Sequence, residues 1–296
     1  MSQMIDEKNM ISNDVYSEVL SNGKRKLILR NGLTKPAIEK ILKNEYDCLW
    51  LYYGNFEEMV KLPLECIRGE VKLQCSEAQN VSWVSMLSSI DSLSIKGRIK
   101  GSIDFSKLKA LSHCEIDWCA TSKGIISSRL KLRSLSLSKF SGQLLDFCAE
   151  TASNLSTLGL TGSLTSLHGL KRFTNLRELS LWNMRELQDV SELELCKNLK
   201  CLQIESCNSI EYESVLKKIS NLEELFFENK ELRSLRCLPK ATLKKIVLGQ
   251  QTKILDKDVE NFMEFPNLEV VSYKKKKGYK YSAEELGELL RNSRKK

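Results

Sequence analysis

Residues 173–210 read FTNLRELSLWNMRELQDVSELELCKNLKCLQIESCNSI. The pattern Leu-x-x-Leu-x-Leu occurs in this stretch twice, as Leu176-Leu179-Leu181 and Leu199-Leu202-Ile204. With Ile, Val, Phe, Tyr or Cys allowed at the apolar positions, it extends in both directions. Upstream lie Ile90-Leu93-Ile95, Leu111-Cys114-Ile116, Leu132-Leu135-Leu137 and Leu155-Leu158-Leu160. Downstream lie Leu222-Leu225-Phe227, Leu243-Ile246-Leu248 and Leu268-Val271-Tyr273. The first positions are 21, 21, 23, 21, 23, 23, 21 and 25 residues apart. A unit recurring at so steady a period is the mark of a stacked repeat. Steps of 22 residues back from Leu93 reach Val71-Leu73, Leu49-Leu51 and Leu27-Leu29, which lack a clean first Leu and read as degenerate or capping units.

The physics of the unit is direct. Alternating apolar residues in x-Leu-x-Leu-x point to one side of a short strand. One such strand cannot bury that side alone, but stacked copies build a continuous core. Successive strands then lie parallel, about 4.8 Å apart. The remaining dozen or so residues of each repeat suit a short helix, a 3-10 turn or an extended return, not a long helix every time. Helical returns are expected at 142–152, 212–219 and 256–265.

The quoted stretch resembles the short-repeat leucine-rich repeat proteins, the cytoplasmic and internalin-like class built on LxxLxxLxLxxNxIxxIxxL. The resemblance covers 90–273 closely and 27–89 loosely. It implies an α/β repeat solenoid: a horseshoe with a parallel β-sheet on the concave face, short helices or 3-10 turns on the convex side, and about 9–12 repeats. It is specific for fold and unspecific for function. The family's inward Asn or Cys position falls on Arg98, Cys119, Phe140, Ser163, Met184, Cys207, Lys230, Gln251 and Lys276, and only Cys119 and Cys207 fit it. These two cysteines are therefore expected to bond backbone groups of their turns, and Cys114 to replace a core Leu.

A solenoid needs its ends covered. Residues 1–45 are expected to form an N-terminal cap with a degenerate first repeat, in which 11–20 and 35–42 have helical spacing. The solenoid proper is expected over 46–281. Residues 282–296 read as a capping helix and basic tail. Ser282 with Glu285 makes a capping box, and Leu286, Leu289 and Leu290 make an apolar stripe.

Composition narrows the function. The 296 residues are 42% hydrophobic and 28% charged, the balance of a folded globular chain. No apolar run approaches the roughly 18–20 residues of a membrane span. The start, MSQMIDEKNMISNDV, lacks the basic and apolar regions of a secretory signal, so a cytoplasmic location is expected. The ten cysteines form no CxxC pair and accompany only two histidines, His113 and His168, so free thiols are expected and a zinc cluster is not. The net charge is +8, of which residues 274–296 carry +6.

Catalytic motifs are missing: there is no phosphate-binding GxxxxGK[ST], no GxGxxG, no HExxH and no GxSxG. A constellation of His113, Glu115, Asp117 and Ser136 is thinkable, but an open strand surface excludes little water. No enzyme activity, cofactor or metal is expected. The outward strand residues carry more information. Ser134, Ser136, Ser138, Thr157, Gly159 and Thr161 make the middle of that surface small and neutral. Glu178, Trp182, Gln203, Glu205, Glu224, Phe226 and Glu228 follow on the next three strands as aromatics among acids. Aromatics on a polar face are what binding hot spots look like, and the acids would steer a basic partner. They would also repel nucleic acid. The expected function is a non-enzymatic protein–protein interaction module, monomeric, taking a protein partner with a basic surface on the concave face. A bacterial immunity or inhibitor-type protein and an adaptor are the analogies. The alternative is binding of nucleic acid or an anionic surface through the basic C-terminal tail.

Overall fold

The structure is a computed structural model, and it describes residues 10–12 and 14–293. The chain divides between Ser138 and Lys139 into two compact units.

In the first unit, β2 (Val15–Val19) pairs antiparallel with β1 (Met10–Ser12) on one side and with β3 (Arg25–Arg30) on the other. From β3 onward every pairing is parallel, through β4 (Cys48–Tyr52), β5 (Gly69–Asn80), β6 (Ile90–Lys100), β7 (His113–Asp117) and β8 (Ser134–Phe140). The register aligns Leu27, Leu49, Val71, Leu93, Cys114 and Leu135 in one row. All six are buried. The three degenerate units are thus full members of the ladder. The helix expected at 35–42 forms as α1 (Lys35–Lys43), with Thr34 accepting from the Ala37 amide at its start.

The expected helix at 11–20 does not form. Residues 15–19 are instead the strand β2, paired along the free edge of β3. The physical reason is twofold. Val15, Tyr16 and Val19 are strand formers, and β3 needs hydrogen-bond partners on its outer edge. Residues 1–9 and 13 of the expected N-terminal cap lie outside the described residues. Residues 52–90 contain no long loop. They hold 3-10 turns at Glu57–Lys61, Leu64–Cys66 and Ser82–Met86 around β5. One short helix closes the unit's returns, α2 (Gly124–Ser127).

The second unit repeats the plan. A short α3 (Ala149–Asn154) precedes β9 (Thr157–Gly162), β10 (Glu178–Trp182) and β11 (Cys201–Glu205). Then come α4 (Glu213–Leu216), β12 (Glu224–Glu228), β13 (Glu231–Leu232), β14 (Lys245–Leu248), β15 (Lys253–Ile254) and β16 (Val270–Ser272). Strands β9, β10, β11, β12, β14 and β16 pair in parallel in that order, and β13 with β15 makes a second, two-stranded parallel ladder. The inward rows, such as Leu158, Leu179, Leu202, Leu225 and Ile246, are fully buried, each Leu contributing about 1.5–3 kcal/mol. Behind them Phe140, Phe147 and Phe173 stack edge to face, with ring centroids 6.3 and 5.1 Å apart. Of the three expected helical returns, 142–152 and 212–219 carry α3 and α4, and 256–265 carries a 3-10 helix, Val259–Glu264.

Two polar devices tie neighbouring repeats. Asn175, Asn198, Asn221 and Asn267 stand just before the first Leu of their units. Each donates its side-chain N–H to a backbone carbonyl of the preceding repeat, at Ser153, Thr174, Lys197 and Ala241, over 2.6–2.7 Å. At the other end of the strands lies the inward polar position. Cys207 fills it as expected, with its thiol near the Leu181 and Glu205 carbonyls. In the next two repeats Asn229 and Thr252 fill it, not Lys230 and Gln251. Asn229 accepts from the Cys207 amide and donates to its carbonyl, both at 2.8 Å, and Thr252 Oγ1 donates to the Asn229 carbonyl at 2.7 Å. The repeats change length between strand and turn, so a fixed count from the first Leu slips by one. Cys119 is half-buried; its thiol accepts from the Ser122 backbone amide, and buried Ser122 Oγ donates to the turn carbonyls of Asp117 and Cys119.

The C-terminal helix α5 (Ala283–Ser293) forms with its capping box. Ser282 Oγ accepts from the Glu285 amide, and the Glu285 carboxylate accepts from the Ser282 amide. Leu286 and Leu290 are buried, whereas Leu289 is 38% exposed.

Candidate functional site

The outward face of β10, β11 and β12 brings together all seven residues expected there. Register places Cys201 between Glu178 and Glu224, Gln203 between Ser180 and Phe226, and Glu205 between Trp182 and Glu228. Strand alternation decides the neighbouring phenylalanines: Phe227 is 1% exposed in the core and Phe226 is half-exposed outside it.

The two aromatics differ in company. The Lys245 ammonium sits 4.6 Å from the centre of the Phe226 ring and 3.5 Å from the Glu224 carboxylate. Trp182 is half-exposed, with no ring or cation contact among the described residues. Glu178 accepts only a long hydrogen bond, 3.4 Å, from Thr157 Oγ1. Glu205 and Glu228 form no ion pair among the described residues. Gly249 helps explain how Glu228 is held: a Cβ at 249 would come within 2.3 Å of the Glu228 side chain, which lies over that bare backbone. The face therefore carries four carboxylates against one lysine, around a half-exposed indole.

A second outward patch, in the first unit, escaped the sequence reading. Trp50 on β4 lies between the ammoniums of Lys26 and Lys72, 3.9 and 4.3 Å from its ring centre. Tyr52 meets it edge to face at 6.0 Å, and the Arg30 guanidinium lies 5.0 Å from the Tyr16 ring centre. Lys26 is buried and pairs with Glu18, while Lys72 pairs with Glu70 at 2.8 Å. Trp50 Nε1 and Arg30 Nε are buried without a hydrogen-bond partner. The signal was present, since the 22-residue step to Leu49-Leu51 puts Trp50 and Tyr52 outward.

The acid–base constellation around His113 is not assembled. Ser112 Oγ lies 2.7 Å from His113 Nδ1, while Glu115 pairs with Lys96 at 2.8 Å and accepts from Ser94 Oγ. His168 lies 2.9 Å from Glu192, whose carboxylate also accepts from the Gly169 and Lys171 amides. Those hydrogen bonds outweigh its burial and hold the Glu192 pKa below the usual range. All ten cysteines are unpaired. Burial pushes the thiols of Cys114 and Cys196 up, the latter to about 12, so both resist ionisation. Among the described residues no cluster of His, Cys, Asp or Glu could hold a metal, and no helix is long and apolar enough to cross a membrane. The basic stretch 274–280 is not a loose tail. Lys275 pairs with Glu285, Lys276 donates to the Gln250 and Gln251 carbonyls, and Lys280 pairs with Glu260. Residues 294–296 lie outside the described residues.

Comparison with known proteins agrees with this geometry. The family profile of the Endo-beta-N-acetylglucosaminidase EndoS LRR domain matches residues 154–248. The crystal structure of an internalin, InlF, from Listeria monocytogenes superposes with a TM-score of 0.50, covering 85% of this chain and 86% of that one at 16% identity. The fold is that of a leucine-rich repeat solenoid. It is internalin-like, and at this identity the likeness extends to fold alone. A further leucine-rich repeat structure is similar over part of its length. It is the ectodomain of the plant membrane receptor kinase GASSHO1/SCHENGEN3 from Arabidopsis thaliana, in complex with CASPARIAN STRIP INTEGRITY FACTOR 2. It matches at 16% identity and a TM-score of 0.31, over 83% of this chain and 40% of the receptor chain. A search of curated proteins returns no match.

Proposed function

We propose that this leucine-rich repeat solenoid is a non-enzymatic binding module, and that its partner is a protein with a basic surface. The contact face is the outward side of β10–β12: Glu178, Trp182, Gln203, Glu205, Glu224, Phe226 and Glu228. The observation that carries the reading is Trp182, a half-exposed indole without a ring or cation partner among the described residues, set among carboxylates. Covering an aromatic of this kind contributes more to association than the polar contacts around it. The unpaired carboxylates would speed encounter with a basic partner and disfavour a phosphate backbone. In this reading residues 1–45 cap the N-terminal end, 46–281 form the binding solenoid and 282–296 cap the other end. The module is monomeric, and its ten unpaired thiols suit the reducing cytoplasm. An inhibitor of immunity type, which masks a basic active site, is the role that fits an acidic recognition face.

The test is affinity capture from the native cell lysate with mass spectrometry, comparing the wild type with a folded Trp182→Ala/Phe226→Ala variant. A stoichiometric basic protein should be captured by the wild type and lost by the variant. An unchanged set of captured proteins would overturn the assignment of the face.

A further inference from the structure

Cations on aromatic rings follow one pattern in this chain. Among the described residues, each of the five lysines whose ammonium lies over an aromatic ring also pairs with a carboxylate. Two of the rings stand on the outward side of the repeat strands. Trp50 takes Lys26, paired with Glu18, and Lys72, paired with Glu70. Phe226 takes Lys245, paired with Glu224. The face of an aromatic ring is its negative side, so a cation held between ring and carboxylate satisfies both.

Register shows where these lysines come from. Lys72 stands directly beside Trp50 on the following strand. Lys245 stands on the strand after Phe226, one outward position earlier, because its own row partner is Glu224. Lys26 stands on the strand before Trp50, also one outward position earlier, because its row partner is Cys48. At Trp182 the three corresponding positions hold Glu205, Gln203 and Gly159. None of these is a cation, and no cation lies over the Trp182 ring among the described residues. The carboxylate, by contrast, is in place. Glu205 is the row neighbour of Trp182 and forms no ion pair among the described residues. Ring and carboxylate are thus two parts of an arrangement that the chain completes with its own lysines at Trp50 and Phe226.

We propose that Trp182 and Glu205 together seat one cationic side chain, arginine or lysine, of the protein partner. The inference rests on the contact face proposed above and narrows it. Phe226 already carries Lys245 on its ring, so it offers apolar contact, whereas Trp182 takes the partner's charge. Adjacent strands lie about 4.8 Å apart, so the ring and the carboxylate are both within reach of a single cation. A guanidinium laid on the indole can direct its N–H edge to the carboxylate, and an ammonium can do so with one of its three N–H groups.

The test is an NMR titration of the full chain, isotope-labelled at the tryptophan indole nitrogens, at ionic strength fixed with KCl. The probes are N-acetyl-arginine N-methylamide, its lysine counterpart and its citrulline counterpart, which keeps the shape of arginine without the charge. Trp182→Leu identifies the Trp182 resonance by its loss. The arginine or the lysine probe should shift that resonance saturably in the millimolar range, and the citrulline probe should not. The tighter of the two cations names the residue that the partner presents. Glu205→Gln should weaken binding about threefold or more. Glu77→Gln, which removes one exposed carboxylate of the first unit, should bind as the wild type does. Circular dichroism confirms that each variant is folded. No saturable shift, an equal response to citrulline, an unchanged affinity in Glu205→Gln or an equal loss in Glu77→Gln would each overturn the seat. A protein partner lost by Trp182→Ala/Phe226→Ala, with no response to either cation, would sink the seat and leave the binding-module reading standing. A saturable seat with no captured partner would do the reverse.

Discussion

Trp50 and Trp182 both stand on the outward side of a repeat strand, yet the chain treats them in opposite ways. Trp50 lies between two lysines of its own unit, and one of these, Lys26, is itself buried and paired. Trp182 has the Glu205 carboxylate beside it on the next strand and no cation over its ring among the described residues. An aromatic that its own chain has already covered with cations is spending its quadrupole on the fold. One that its own chain leaves without a cation keeps that face for another molecule. Outward position alone therefore does not identify a contact residue. What the neighbouring strands offer the ring does.

The largest effect that would break this contrast is on binding. Trp182→Ala/Phe226→Ala should weaken binding of the captured partner by about 1,000-fold, at about 2 kcal/mol for each hot-spot truncation. Trp50→Ala should leave affinity within about twofold. A titration in which Trp50→Ala weakens binding as strongly would erase the distinction. Stability should run the other way. Trp50→Ala should cost about 2–3 kcal/mol in urea unfolding, because it strips the ring from two cations and opens a cavity. Trp182→Ala should cost under about 1 kcal/mol. Equal urea midpoints for the two variants would count against the account.

Double-mutant cycles sharpen the comparison further. The Lys26–Trp50 coupling should be about 1–2 kcal/mol, and the more exposed Lys245–Phe226 pair about 0.5 kcal/mol. A larger coupling for the second pair would mean that Phe226 too serves the fold. The smallest expected effect lies outside both patches. Hydrogen bonds from Lys200 and Lys244 lower the half-exposed Glu223 carboxyl from its ordinary 4.5 to about 2. A depressed carboxyl stabilises the folded state above pH 4.5 and loses that contribution as pH falls toward 2. The melting-temperature gap between wild type and Glu223→Gln should therefore narrow over that interval. A gap that stays constant with pH would show that the two lysines do not act through charge.

The sequence made the repeat strands legible because inward Leu and Ile recur in phase, and a one-residue slip would expose the whole row. Even Leu27-Leu29 and Leu49-Leu51, without a first Leu, keep their 22-residue register. The capping box at Ser282 was legible for the same reason, since its two partners are three residues apart. The hairpin at 11–19 was not, because β2 exists through the edge of β3 and no local pattern records that edge. Asn229 and Thr252 were missed because the turn lengths vary. The candidate face at 178–228 was readable as a set of outward positions, and register alone assembled it. The bond from the Ile254 amide to Tyr279 Oη was hidden, since its partners are 25 residues apart.

The row of asparagines has a consequence for how the chain is made. Each side chain reaches a carbonyl 22–26 residues earlier, on the repeat nearer the N-terminus. As the polypeptide leaves the ribosome, that carbonyl is already outside when the asparagine emerges. Every new turn of the second unit can therefore be fastened at once to one already in place, without waiting for the C-terminus. A ribosome stalled after Asn221 would release a chain already tied from Ser153 to Asn221, lacking its last repeats and the cap that shields them.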